Sequence, residues 1–191
     1  MKLINVRNFL PKKENKIWDY YYDAMECLTQ DNAETAKLLL KKTIKLDENF
    51  VAGYVGMTAV YRVEGNNKRE KEYSDLAYKK TCKIFPRWPK KMNWGILENR
   101  QYLRAICDKA AVYHKKDDYK EAEKLYRLLL KLNPNDNQGV RYLLAGMFVS
   151  LSPQDVDDMF DECNAKQDWS KLEKLVEEQN KKHHFWTEPS S

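Results

Sequence analysis

Three histidines, four cysteines and 29 Asp plus Glu are the side chains with which this 191-residue chain could do covalent or acid–base chemistry. Their spacing argues against it. Cys107 and His114 share one predicted helix but lie seven residues apart. That is about 10.5 Å along the axis, against the roughly 3 Å hydrogen bond a Cys/His nucleophile pair requires. Cys27, Cys82, Cys107 and Cys163 include no two within four residues of each other, so neither a zinc knuckle nor a C-x-x-C redox pair exists. His183 and His184 have no ligand spacing with Cys163. Asn133–Gly139 is rich in Asx residues, yet a calcium loop needs glycine sixth and a carboxylate twelfth, where this chain has Gln138 and Leu144. The segment reads instead as a turn and N-cap for a helix beginning near Asn137. Paired acids such as Asp157-Asp158 and Asp161-Glu162 fall on solvated helix faces. There is no Gly-rich phosphate loop and no H-E-x-x-H. The expectation is a protein that is not an enzyme and needs neither cofactor nor metal.

One stretch has the composition of a nucleic-acid surface. Lys79, Lys80, Lys83, Arg87, Lys90 and Lys91 are interleaved with Trp88 and Trp94. Cations with aromatic faces bind single strands by phosphate contact and base stacking. Against that, the net charge is only +5, and the runs Asp155–Glu162 and Glu173–Glu178 would repel phosphate. In the plainer reading the lysines solvate a helix face and its exit, and the tryptophans anchor the segment that follows.

The elements that must carry these residues are helical. Charged residues make up 33% of the chain and hydrophobic ones 42%, with only six glycines and six prolines, too few turn residues for an all-β fold. No apolar run approaches the roughly 18 residues of a membrane span. Charge appears too early in Met1-Lys2-Leu3-Ile4 for a secretory signal core. The expected location is therefore cytoplasmic, with the cysteines reduced. Twelve Tyr, five Trp and six Phe supply bulky core material. Periodicity and breakers predict a basic arm over 1–13 and helices near 14–29, 33–46, 50–64, 68–84, 97–115, 118–132, 137–150, 153–163 and 168–182, with a flexible tail over 183–191. Asp31-Asn32 and Asp117-Asp118 are polar turns, Gly65 is a C-cap, Pro86 and Pro89 stop a helix, and Ser152-Pro153-Gln154-Asp155 starts one.

The helices repeat in pairs. Ile106, Ala110, Tyr113, Ala122, Tyr126 and Pro134 share their spacing with Tyr20, Ala24, Cys27, Ala36, Leu40 and Glu48. Tyr54, Thr58 and Tyr61 follow the first set by 34 residues; Val140, Leu144, Met147, Val156 and Phe160 follow the later one by 34. An insertion of 18 residues, partly at 87–97, separates the middle repeats. Small residues such as Ala24 and Ala110 let paired helices approach. One pair cannot bury its own apolar face, so several must stack.

These spacings resemble the tetratricopeptide repeat family, whose pattern is W-x2-L-G-x2-Y, A-x3-F and P within 34 residues. The third repeat carries it best: Ile106-x2-Lys109-Ala110-x2-Tyr113, Ala122-x3-Tyr126 and Pro134. Ile106 and Lys109 replace the large Trp and Leu, and the other repeats lack parts of the pattern. The expected fold is an all-α helical-hairpin solenoid of about four repeats over 14–182. Its last helix, with Leu172, Leu175 and Val176 on one face, forms a C-terminal cap.

The resemblance implies a concave groove lined by the first helix of each pair. Residues opposite the packing positions would line it: Trp18, Tyr21 and Met25, then Arg62, then Arg104 and His114, then Arg141 and Phe148. Arginines there suit a carboxylate by bidentate bonding, and aromatics supply anchor area. Tyr21 and Met25 stand where chaperone-binding members need Lys and Asn, so a chaperone tail is not the expected ligand. The reading is a non-enzymatic protein–protein interaction scaffold that binds a peptide or partner segment with acidic groups. The alternatives are RNA or single-stranded DNA binding through 79–94, and a self-associating structural repeat protein.

Overall fold

The computed structural model describes residues 12–189. Most of the expected N-terminal arm, residues 1–11, lies outside them, as do Ser190 and Ser191. Among the described residues there are nine α-helices and no strand: α1 (Lys12–Thr29), α2 (Ala33–Leu46), α3 (Val51–Val63), α4 (Asn67–Ile84), α5 (Leu97–His114), α6 (Tyr119–Leu132), α7 (Val140–Phe148), α8 (Pro153–Lys166) and α9 (Ser170–His183). The expected all-α helical-hairpin class is what the chain adopts.

The repeat is written most plainly in its turns. Asp31, Gly65, Asp117 and Ser150 close the first helix of each pair, and all four are left-handed, with φ of 57°, 66°, 59° and 62°. At each, two amides turn back onto the preceding helix. Asp31 and Asn32 donate to the carbonyls of Leu28 and Cys27; Gly65 and Asn66 donate to Arg62 and Tyr61. Asp117 and Asp118 donate to His114 and Tyr113; Ser150 and Leu151 donate to Met147 and Gly146. This is one Schellman motif used four times, and it satisfies carbonyls that a helix end leaves unpaired. Gln167 repeats it before α9. The next residue often caps the second helix. Asn32 accepts from the Thr35 amide at 3.1 Å, and Asp118 accepts from Glu121 at 3.5 Å. Ser152 and Asp155 form the expected capping box, with Pro153 in the first turn.

The described residues form two compact units, one up to Thr81 and one from Cys82 onward. In the first unit, α1, α2 and α3 pack around Ala24, Ala36, Leu40, Met57 and Val60, all fully buried. The two alanines carry no side chain beyond Cβ, which is what a close helix pair needs. Position 70, one period after Ala36, holds Glu70, also buried, so the second pair departs from the pattern at its tightest point.

In the second unit, α5 pairs with α6 and buries Ile106, Ala110, Ala122 and Tyr126 completely. Then α7 packs on α6, α8 and α9. A Cβ on Gly146 would come 2.5 Å from Val156 Cγ2, so glycine is what lets α7 and α8 approach. Leu172 and Val176 of α9 are buried while its acids and lysines face water, which matches the expected cap. The insertion is ordered. Phe85 stacks with Trp88 and meets Tyr102 edge-on at 5.0 Å. Met92 is buried, and its amide donates to the Leu132 carbonyl at 2.6 Å. The segment therefore lies against α5 and the end of α6.

After α9 the chain turns back at left-handed His184 and is held as far as Trp186. Asn180 Oδ1 accepts from the amides of Phe185 and Trp186, and its Nδ2 donates to the Trp186 carbonyl. Phe185 is buried.

Candidate functional site

The expected groove residues fall into two sets, one in each unit. In the first unit, Trp18 is half-buried against Phe50 at 4.8 Å and stacks on Tyr22. Tyr21 is part of the core, and Met25 reaches within 3.1 Å of where a Cβ on Gly56 would lie. These three fill space between helices rather than line an open wall. Arg62 Nε donates to buried Glu70 at 2.7 Å. Its guanidinium neutralises an acid placed at a small-residue position of the repeat.

In the second unit, His114 is 2% exposed. Its Nε2 lies 2.8 Å from the Leu151 carbonyl, which can only accept, so Nε2 carries the proton. Nδ1 then accepts from the Tyr126 hydroxyl at 3.4 Å. The imidazole thus ties α5 to α6 and to the turn before α8. Burial holds it below the ordinary pKa of 6.5, against the opposing Leu151 carbonyl and Asp117 charge. The unfolded chain therefore takes up a proton at a pH where the folded one does not. Stability falls as pH drops below about 6.5 and levels off once the folded ring also titrates. The urea midpoint is expected to fall between pH 7.5 and 5.5, and by less in His114→Gln; equal falls would contradict the assignment.

Arg141 is similarly engaged. Gly139 (φ 67°) carries no capping side chain, so α7 begins at Val140, later than the sequence suggests, and Asp136 caps it instead. Asp136 accepts from the amides of Val140 and Arg141 at 2.7 and 3.0 Å and from Arg141 Nη1 at 3.1 Å. Burial pushes its carboxyl above the ordinary range, opposed by those three donors. Arg141 Nη2 also donates to Tyr142 and to Glu173 of α9, and Tyr142 donates to Glu173. Burial and that acceptor hold the Tyr142 hydroxyl well above its usual range. The indole of Trp186 lies 4.9 Å from the guanidinium. Phe148 stacks on His183 at 3.8 Å and meets Phe185. The tail thus covers both residues.

Arg104 is half-buried on α5, with its guanidinium 5.5 Å from the Trp94 ring. Arg100 lies 5.2 Å from the same ring and donates to the Trp94 carbonyl at 2.9 Å. Two guanidinium groups share one indole, and the insertion supplies that indole.

The basic stretch 79–94 also divides. Lys79 and Lys80 belong to the first unit, where Lys79 is exposed and Lys80 sits 4.9 Å over the Tyr54 ring. Lys83, Arg87, Lys90 and Lys91 belong to the second and are exposed, with Trp88 half-buried among them. Among the described residues no group of three or more His, Cys, Asp or Glu is arranged to hold a metal ion, and no helix is long and apolar enough to cross a membrane. The spacing of acids alone did not show the Asp136–Arg141–Glu173 network, because Glu173 lies 32 residues further on. Glu70 had a signal: it stands one period after Ala36.

Paired helices joined by one repeated turn define an all-α helical-hairpin repeat protein. The family model for the tetratricopeptide repeat matches residues 110–136, the end of α5, all of α6 and the turn through Asp136. The match supports the tetratricopeptide repeat family, whose repeats generally mediate protein–protein interaction. No curated protein matches the sequence.

Proposed function

We propose that the chain is a non-enzymatic scaffold that binds an acidic segment of a partner protein through α5 of its second unit. The observation that carries this is the pair Arg100 and Arg104 on Trp94, beside the matched repeat. An indole face holds a guanidinium plane in place and restricts its rotamers, so less freedom is lost when the fork meets a carboxylate. Of the expected groove cations, Arg62 serves Glu70, and Arg141 serves Asp136 and Glu173. Arg104 is stacked with Arg100 on the Trp94 ring of the insertion, at 5.5 and 5.2 Å. Arg104→Glu is expected to keep the far-UV helical signal of the parent and to weaken partner retention at least tenfold. Loss of the helical signal would make Arg104 a structural residue. A cytoplasmic location accompanies this reading, in keeping with four free thiols and no disulfide requirement.

A second reading rests on Lys83, Arg87, Lys90 and Lys91, exposed around Trp88. Such a patch suits single-stranded RNA or DNA. Binding of that kind weakens steeply and linearly in log salt, whereas a partner held by a few bonds at Arg104 responds less.

A further inference from the structure

The insertion is pinned to the second unit on one side and leaves cations and aliphatic side chains on the other. Phe85 meets Tyr102 edge-on, Met92 is buried, and the Trp94 ring carries Arg100 and Arg104. What remains exposed is Lys83, Arg87, Lys90 and Lys91 together with Ile84, Ile96 and Leu97. The three aliphatic residues are 44%, 51% and 45% exposed. Residues 82–97 hold those four cations and no acid, so they carry four of the chain's five net positive charges.

One of these residues breaks a local rule. Ile96 stands at the N-cap of α5 and makes no side-chain capping bond there. An isoleucine is among the poorest caps, whereas Ser, Asn or Asp would satisfy an open amide of the first turn. α2, α6 and α8 have such caps in Asn32, Asp118 and Ser152. An isoleucine that costs the helix a cap and keeps half its surface in water is a departure of the kind found where a chain meets something outside itself. Stacking on bases leaves these aliphatic residues unused, because Ile and Leu offer no aromatic face. A bilayer interface uses the whole set. Aliphatic side chains enter the acyl boundary, indoles such as Trp88 sit at headgroup level, and Lys and Arg lie among anionic headgroups.

We propose that the exposed side of residues 83–97 docks reversibly on an anionic lipid surface. Ile84, Ile96 and Leu97 enter the acyl boundary, and Lys83, Arg87, Lys90 and Lys91 hold the headgroups. Three side chains bury little apolar area and four cations attract only moderately, so neither contribution suffices alone. The docking goes beyond the scaffold reading and needs neither Arg104 nor a partner protein.

The test sediments the full chain with vesicles of phosphatidylcholine containing about 30% phosphatidylserine, and with vesicles of phosphatidylcholine alone. The parent is expected to bind the anionic vesicles at least tenfold more tightly than the neutral ones. Lys90→Glu/Lys91→Glu is expected to abolish that binding, and Ile96→Ser/Leu97→Gln to weaken it at least fivefold. Serine at position 96 gives α5 the cap it lacks, so the second variant keeps the far-UV spectrum of the parent. No binding by the parent at millimolar lipid would overturn the proposal, as would equal binding to both vesicles. Binding that ignores Ile96→Ser/Leu97→Gln would be charge attraction without docking and would overturn it too. A parent that binds single-stranded oligouridylate but not vesicles would give the surface to nucleic acid. If Lys90→Glu/Lys91→Glu loses its helical signal, Lys83→Glu/Arg87→Glu takes its place under the same criteria. Loss of the signal there too, or in the aliphatic variant, would make these residues part of the fold and overturn the proposal.

Discussion

Asp136→Ala is expected to lower the unfolding free energy by roughly 3 kcal/mol, read as a shift in urea midpoint at constant m-value. The side chain of Asp136 is 1% exposed and that of Arg141 is 18% exposed. Removing the acid does two things. It leaves the amides of Val140 and Arg141 without their acceptor at the start of α7, a lost cap worth about 1 kcal/mol. It also withdraws the closest carboxylate from a largely buried guanidinium, which retains Glu173 at 3.3 Å. Breaking one side of a buried pair costs more than the pair contributes, because the remaining charge stays desolvated. Asp136→Asn keeps an acceptor for the helix amides and is expected to cost less than half as much. A loss below 1 kcal/mol in the alanine variant would show that Arg141 is free to turn to another acceptor.

Arg62→Ala is expected to destabilise the first unit by about 3 kcal/mol, more than Glu70→Met does. The asymmetry comes from exposure. The Glu70 side chain is 3% exposed, and that of Arg62 is 38% exposed. Without Arg62, a carboxylate is held among buried groups with less compensation. Without Glu70, the arginine turns into water, and methionine fills the space with adaptable apolar volume. Urea unfolding of the two variants, followed by far-UV circular dichroism, reports the difference. Were Glu70→Met the more damaging substitution, the pair would not be what holds that acid in place.

Much of the fold was legible in the chain. The small residues at Ala24, Ala36, Ala110 and Ala122 marked close helix pairs. The polar turns at Asp31 and Asp117 marked where they reverse, because Asp tolerates the left-handed conformation that ends a helix there. The site was less legible, for a physical reason. Spacing shows which face of a helix a residue is on, but not what the next helix or a returning tail places over that face. Arg141 and Phe148 are covered by Trp186, His183 and Phe185. The Leu151 turn closes over His114. The contacts of residues 183–186 come from Asn180 and Arg127, which no local pattern connects to them.

The central claim is that this chain holds a protein partner by an arginine on α5. Its most direct test is capture from a lysate of the cells that make it, with parent and Arg104→Glu chains side by side, with and without nuclease, at two salt concentrations. The account predicts a discrete protein retained by the parent after nuclease treatment and at the higher salt, and lost with Arg104→Glu. Recovery of nucleic acid, or of proteins that vanish with nuclease and salt and are indifferent to Arg104, would contradict it and favour the exposed cations around Trp88.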